Sequence, residues 1–188
     1  MDNRAAILAH ALRLFAARGY DAVGVQEIVE AAGITKPTLY HYFGSKRGLL
    51  DTLLEGHFTP LHQSVKQAAA YNGDLPFTLE KVARAYFDYA KTHRAFYRMQ
   101  LALWYTPQQS EAYQAVAPWN EKLHQVIEEM FTHAAEQHGN MRNRQRPYTA
   151  TFLGMVNTYI GLALNDYTEL DDPLIYQAVH QFMHGIFS

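Results

Sequence analysis

The sequence contains no cysteine. This absence excludes disulfides, thiolate metal sites and cysteine nucleophiles together, and it is typical of proteins from a reducing compartment. We therefore expect a cytoplasmic protein. With 188 residues the chain is long enough to bury the core of one domain, or of a small domain joined to a larger one, without cross-links.

Long hydrophobic runs are also missing. The uninterrupted apolar stretches are only a few residues long, far short of the roughly 20 residues that a membrane-spanning helix requires. The first residues, MDNRAAIL, lack the apolar segment of a signal peptide. We expect a soluble, unprocessed chain without a membrane partner.

Motifs of the common enzyme classes do not occur. There is no Gly-x-Ser-x-Gly, no His-Glu-x-x-His and no phosphate-binding loop. His180 and His184 have the i, i+4 spacing of a chelating pair, but no third ligand is evident. Glu121 and His124 form a single Glu-x-x-His unit, whereas di-iron bundles need two such units and two further glutamates. We predict no catalytic site, metal or cofactor. The alternative function is that of a helical-bundle ligand- or metal-binding protein, or an enzyme, with a vestigial helix-turn-helix.

Charge is unevenly distributed along the chain. The net charge is −2, yet residues 1–50 carry six Lys or Arg and four Asp or Glu, so that they sum to +2 and the remainder to −4. A mildly basic first quarter is compatible with phosphate contact at one end only. A second basic run, GNMRNRQR at 139–146, lies between predicted helices, and we interpret it as a solvated loop.

Hydrophobic periodicity predicts helices throughout and a strand nowhere. Ser45 is predicted to cap the long fourth helix, and the last helix opens at Asp171-Asp172-Pro173 with a cap followed by a proline. Glycines and prolines delimit the other helices. The predicted helices cover 3–18, 25–32, 36–43, 46–69, 75–91, 94–105, 110–137, 147–165 and the segment after Pro173, with a break or kink expected near Pro118.

The third predicted helix has only about two turns, so its neighbours must hold it in place. Leu39 and Phe43, at i and i+4, are placed to anchor it, which leaves its other side chains free to face outward. Two short helices joined by a turn at Gly33, the second with polar and aromatic tips, predict a helix-turn-helix whose second helix enters the major groove.

Residues 5–54 resemble the DNA-binding domain of the TetR family of bacterial transcriptional repressors, and AAGITKPTLYHYFGSKRGLL follows that family's signature nearly position by position. The resemblance implies DNA-contacting roles for Lys36, Pro37, Thr38, Tyr40, His41 and Tyr42, and a phosphate-contacting role for Lys46. Two departures from the family pattern are Gly24, in place of a capping threonine, and Pro37, in place of a glycine.

The implied architecture is all-α with about nine helices. A helix-turn-helix DNA-binding domain at 1–47 is joined through a long helix to a helical effector-binding and dimerisation domain at 48–188. The implied function is that of a homodimeric repressor, bound to double-stranded operator DNA and released from it by a small-molecule effector.

The last two predicted helices are more apolar than the surface of a monomer, and we predict that they form a four-helix interface in a homodimer. The alternative is that one of these faces covers the chain's own core. The residues predicted at the interface are Thr151, Gly154, Thr158, Gly161, Ile175, Val179, Phe182 and Ile186.

The middle helices supply the candidate effector residues, although their sequence is not diagnostic. These residues either line an apolar pocket or fill a core: Tyr86, Tyr89, Phe96, Met99, Trp104, His124 and Tyr159. Since no cluster of cations falls on the predicted inner faces, we expect a neutral apolar or aromatic effector rather than a polyanion.

Overall fold

The computed structural model of the chain describes residues 3–185, which form nine α-helices and one short 3-10 helix and contain no strand. The α-helices are α1 (Asn3–Arg18), α2 (Val25–Ala32), α3 (Lys36–Phe43), α4 (Lys46–Ala68), α5 (Leu75–Thr92), α6 (Arg94–Trp104), α7 (Glu111–Gln137), α8 (Gln145–Leu164) and α9 (Asp172–His184), and the 3-10 helix is Gly139–Met141. The all-α prediction is confirmed. None of the helices described is long and apolar enough to cross a membrane.

The first helices follow from local sequence. Ile7, Ala11 and Phe15 recur every four residues and form the buried face of α1. Gly33 ends α2 in the left-handed conformation, with φ 65°, which a residue without a side chain adopts at little cost. The predicted bounds of α1, α2 and α3 agree with these observed ones.

Two prolines lie inside long helices. α4 runs through Pro60 and α7 runs through Pro118. Of the break or kink predicted near Pro118, the break does not occur. A proline removes one backbone hydrogen bond from the helix, and burial of apolar side chains such as Val116 and Leu123 on either side stabilises the continuous form.

The first of two compact units comprises Met1–Thr59 and His93–Trp119. In it α6 packs along α1. His57 stacks on Phe96 with 4.4 Å between ring centroids, and Phe58 meets Phe96 edge-on at 5.1 Å. The helix-turn-helix segment thus shares its core with a helix from the middle of the chain.

The second unit comprises Pro60–Thr92 and Asn120–Ser188. In it α5 packs against α8 and α9. The Arg84 guanidinium of α5 forms an ion pair with Asp172, the first residue of α9. This pair ties the start of α9 to α5.

The start of α9 is capped as the sequence predicts. The Asp171 carboxylate accepts a hydrogen bond of 2.9 Å from the Leu174 backbone N–H. Further along α9, Phe182 lies 5.4 Å from Phe152 and 6.3 Å from Phe131, between ring centroids. These aromatic contacts hold α9 against α7 and α8.

Candidate functional site

α3 is a helix of eight residues whose two sides differ sharply. Leu39 is fully buried and Phe43 is 9% exposed, so these two side chains fasten the helix to the first unit as expected. The opposite side is open: Tyr40 is 45% exposed and Tyr42 41% exposed. Lys36, Pro37 and His41 are exposed as well, and Thr38 is half-buried.

The start of α3 is shaped by short polar contacts. The Thr35 and Thr38 hydroxyl oxygens lie 3.0 Å apart, so that one hydroxyl donates to the other. Pro37 lies in the first turn, where its missing N–H leaves no helical hydrogen bond unmade. The six α3 side chains predicted to touch DNA therefore belong to one small, mostly exposed surface.

The turn between α3 and α4 has almost no spare room. The Ser45 hydroxyl oxygen accepts a hydrogen bond of 2.9 Å from the Gly48 backbone N–H, so Ser45 caps α4 as predicted. A Cβ atom added at Gly48 would overlap the backbone carbonyl oxygen of Phe43, the last residue of α3. Only glycine fits here without displacing the turn.

Lys46, the predicted phosphate contact, is half-buried. Its Nζ lies 4.0 Å above the centroid of the Tyr20 ring, a cation–π contact. The Tyr20 hydroxyl donates a hydrogen bond of 2.9 Å to Oε2 of Glu111, the first residue of α7. Burial lowers the pKa of the Lys46 amine, while the carboxylates of Asp21 and Glu111 act in the opposite direction. The lysine therefore packs on an aromatic ring of the first unit.

Tyr20 and Glu111 were not identified from the sequence as site residues. Burial, followed by the hydrogen bond to Glu111, raises the pKa of the Tyr20 phenol. The arginine of α1 nearest the N-terminus, Arg4, places its guanidinium 5.7 Å from the centroid of the Phe43 ring. No sequence signal joins Tyr20 to Glu111, because the two are 91 residues apart.

Gly24, the N-cap residue of α2, has no side chain with which to cap the helix, and its backbone N–H donates to a glutamate instead. The Gly24 backbone N–H donates a hydrogen bond of 3.1 Å to Oε1 of Glu27, and Glu27 also pairs with Arg18 at the end of α1. The hydrogen bond from Gly24, and then the one from Arg18, lowers the pKa of the Glu27 carboxyl. One glutamate thereby fixes the turn between α1 and α2.

These helices correspond to a known family. Residues 7–53 match the model of the bacterial regulatory proteins of the tetR family. This part of the chain is therefore similar to the helix-turn-helix region of TetR-family transcriptional regulators.

The curated proteins to which the chain is similar include an activator and a repressor. The chain is 35% identical over 98 residues to the HTH-type transcriptional activator FasR of Mycolicibacterium smegmatis, covering 52% of this chain and 45% of FasR. It is also 35% identical over 86 residues to the HTH-type transcriptional repressor KstR2 of Rhodococcus jostii, covering 46% and 42%. The chain thus spans less than half the length of these curated relatives.

The similarity in fold to solved structures covers nearly the whole chain. The crystal structure of the transcriptional regulator FadR from Bacillus subtilis in complex with stearoyl-CoA superimposes with a TM-score of 0.79, at 19% identity, over 97% of this chain and 98% of FadR. At this level of identity the agreement concerns the fold.

The seven candidate effector residues are divided between the two compact units. Phe96, Met99 and Trp104 belong to the first unit, and Tyr86, Tyr89, His124 and Tyr159 to the second. Phe96 and Met99 are at most 1% exposed, so the core interpretation is the correct one for them. The Tyr86 hydroxyl is buried without a hydrogen-bond partner among the described residues, and burial raises its pKa.

A cavity of about 400 Å³ opens instead in the second unit. None of the seven candidates lines it. Its lining comes from the ends of α5, α7, α8 and α9 and from the 3-10 helix: Leu75, Pro76, Leu79, Phe131, His138, Met141, Tyr148, Phe182 and Met183. Sequence reasoning missed this site because its walls come from distant segments of the chain.

The predicted small-residue stripe of α8 lies at the surface. Thr151, Gly154 and Thr158 are exposed and Gly161 is half-buried. The Thr158 hydroxyl donates to the Gly154 carbonyl oxygen at 2.8 Å, and the Thr151 hydroxyl is likewise satisfied within the helix. With these groups already paired, the stripe offers a smooth surface to another helix.

The α9 residues predicted at the interface require a correction. Ile175 and Val179 are each 2% exposed and lie in the chain's own core, so they have no surface to offer a partner. Phe182 packs on the aromatic cluster of the second unit, and Ile186 lies outside the described residues. The exposed apolar side chains of α9 are Tyr176, at 61%, and Met183, at 37%.

The histidine pair of α9 has the predicted proximity, since the rings of His180 and His184 lie 4.6 Å apart between centroids. Within residues 3–185, no group of three or more histidine, aspartate or glutamate side chains is arranged to hold a metal ion.

Proposed function

We propose that this chain is a homodimeric TetR-family repressor that binds double-stranded operator DNA through α3 and releases it when a small molecule binds. The observation that carries the assignment is the two-sided character of α3. Leu39 and Phe43 anchor the helix, while Lys36, Tyr40 and Tyr42 point their polar and aromatic tips outward. A helix anchored in this way is suited to enter a major groove.

Each outward side chain has a physical task in that complex. The Thr38 hydroxyl and the Tyr40 ring suit base edges and thymine methyl groups, which give sequence preference. His41 and Tyr42 carry hydrogen-bond donors for phosphate oxygens, and such contacts fix the position of the protein along the duplex. Lys46 begins α4, where its charge adds to the free N–H groups of the helix N-terminus in attracting a phosphate.

Dimerisation places two copies of α3 on successive half-sites of a pseudo-palindrome. We assign the interface to the exposed side of α8, with Thr151, Gly154 and Thr158 allowing close approach and the 39%-exposed Leu162 adding apolar contact. On α9 the corresponding contact comes from Tyr176 and Met183. Such a regulator meets its operator in the cytoplasm.

Release by a ligand follows from differential affinity. An effector that prefers one arrangement of the helical body shifts the protein toward that arrangement and away from the DNA-bound one. The complex of Bacillus subtilis FadR with stearoyl-CoA supports a small-molecule effector for a chain of this fold.

The test is fluorescence anisotropy of the purified protein on the DNA directly upstream of its own gene, with scrambled DNA for comparison. Tyr40→Ala is expected to weaken specific binding roughly 5- to 150-fold, the equivalent of about 1–3 kcal/mol per base contact. Tyr105→Ala is the matched control, because Tyr105 is an 83%-exposed tyrosine outside α3. It should leave binding unchanged.

Lys46→Ala separates phosphate contact from base readout. It should lower affinity by the same factor on operator and scrambled DNA, and reduce the slope of log K against log salt by about one. Weak, salt-sensitive binding to every fragment by the unmodified protein would instead favour a helical-bundle binding protein or enzyme with a vestigial helix-turn-helix.

A further inference from the structure

The cavity in the second unit has an aromatic wall. The ring centroids of Tyr148 and Phe182 lie 5.7 Å and 6.3 Å from that of Phe131. Leu79 is fully buried beside it, and Met183 is 37% exposed. The volume of about 400 Å³ falls in the range of roughly 300–1,000 Å³ found for small-molecule sites. This lining favours an apolar chain or ring.

Cations border the cavity on one side. Met141 and Tyr148 both line it, and the segment that joins them carries Arg142, Arg144 and Arg146, all exposed. Within residues 3–185 no carboxylate lies at ion-pair distance from any of the three. The arginines are therefore available to a ligand, and guanidinium groups recognise carboxylates and phosphates especially well.

Polar groups at or next to the lining residues Leu75 and His138 already have hydrogen-bond partners. Asp74, next to the lining residue Leu75, accepts a hydrogen bond of 2.9 Å from the Phe77 backbone N–H and so caps α5. The Tyr71 hydroxyl donates to Gln137 Oε1 at 2.9 Å and lies 3.4 Å from Nε2 of the lining residue His138. Asp74 keeps its negative charge, but that carboxylate is committed to the cap of α5, whereas the three arginines have no carboxylate partner among the described residues.

We infer that this cavity binds an amphipathic anion, with the apolar tail between Leu79 and Phe131 and the anionic head at Arg142 and Arg144. The inference rests on the proposed function, since it names the class of the effector. It replaces the neutral ligand expected from the sequence, because Met141 of the basic run at 139–146 lines the cavity.

Three ligands with the same ten-carbon tail test the head group: decanoate, 1-decanol and decyltrimethylammonium. Each is titrated into the purified full-length protein without DNA, below micelle-forming concentrations, by isothermal titration calorimetry. We expect saturable binding of one decanoate per chain, at least about tenfold tighter than decyltrimethylammonium, because the charge interaction changes sign. Equal affinity for anion and cation would overturn the inference.

Substitutions of the arginines test where the anionic head group of the ligand binds. Arg142→Gln with Arg144→Gln should weaken decanoate binding about 3- to 30-fold and change 1-decanol binding less than about twofold. The same two positions changed to Lys should retain most of the affinity. Lys66→Gln removes one exposed cation of the second unit outside the lining, and it should have no effect. Unaltered decanoate affinity in the double Gln variant would refute the arginine contact.

Tryptophan substitutions that fill the cavity test whether the apolar tail of the ligand binds there. Met141→Trp should abolish binding of all three ligands, and Pro76→Trp, at an exposed lining residue outside the proposed dimer contact, serves if the first variant does not fold. Retention of decanoate affinity in a folded Trp variant would place the ligand elsewhere. Operator binding is measured in parallel: a protein that binds its operator but not decanoate refutes only this inference, whereas one that binds decanoate but no DNA refutes the proposed function.

Discussion

Gly48 is the position where one added methyl group should damage the DNA-binding end of the chain most. An alanine Cβ would lie well inside 3.0 Å of the Phe43 carbonyl oxygen, 3.3 Å from the Phe43 carbonyl carbon and 3.5 Å from the Ser45 hydroxyl oxygen. The carbonyl oxygen cannot move freely, because it accepts a hydrogen bond of 2.8 Å from the Ser45 backbone N–H. Gly48→Ala must therefore shift the start of α4 away from α3.

The cost of that shift can be separated from helix propensity. Overpacking against a backbone atom costs about 1–3 kcal/mol, while replacing a helical glycine by alanine stabilises a helix by roughly 0.5–1 kcal/mol. Gly56 is the matched control: it lies in α4, is exposed, and a Cβ there meets nothing within 4 Å. Gly56→Ala should therefore raise the stability that Gly48→Ala lowers.

The assay is thermal unfolding followed by circular dichroism, together with operator binding. For a chain of this length about 1 kcal/mol moves the melting temperature by roughly 2–4 °C. We expect Gly56→Ala to raise it by about 1–4 °C with DNA affinity unchanged, and Gly48→Ala to lower it and to weaken DNA binding. Equal, stabilising effects of both substitutions would refute the assigned clash at the α3–α4 turn.

Three further predictions follow from single contacts. Ser45→Ala removes the acceptor of the Gly48 N–H and should lower stability by about 1 kcal/mol in urea unfolding, while Ser45→Asp should restore it. Burial lowers the pKa of His57, so the unfolded chain binds its proton more readily, and stability should fall as the pH drops below about 6.5. His57→Gln should flatten that fall between pH 7 and pH 5, and an unchanged profile would contradict the role of His57. If the proposed homodimer forms, Leu162→Glu should convert it to monomers in sedimentation velocity, whereas Tyr105→Glu, at an 83%-exposed side chain, should not.

Much of the first unit could be predicted from sequence because it depends on local spacing. A buried face repeating every three or four residues, the cap at Ser45 and the left-handed Gly33 are encoded within a few residues of where they act. The same holds for the two sides of α3, since Leu39 and Phe43 at i and i+4 leave the other side chains facing outward. Local geometry was enough for these features.

Contacts between distant segments could not be predicted in this way. The cation–π contact of Lys46 with Tyr20 joins two different helical segments, and the hydrogen bond from Tyr20 to Glu111 joins residues that are 91 positions apart. The apolar face of α9 was clear from its spacing, but only tertiary packing decided that Ile175 and Val179 turn toward the chain's own core.

The same distinction explains Pro118 and the cavity. A proline signals a lost hydrogen bond in any sequence, but whether the helix continues depends on the apolar area that neighbouring elements bury around it. The cavity exists only because the ends of four helices meet and leave a gap. The sequence by itself determined where the helices lie and which residues α3 presents, since each rests on contacts within one or two turns. Tertiary structure decided which faces are covered and where space remains, because burial depends on partners that the local sequence does not specify.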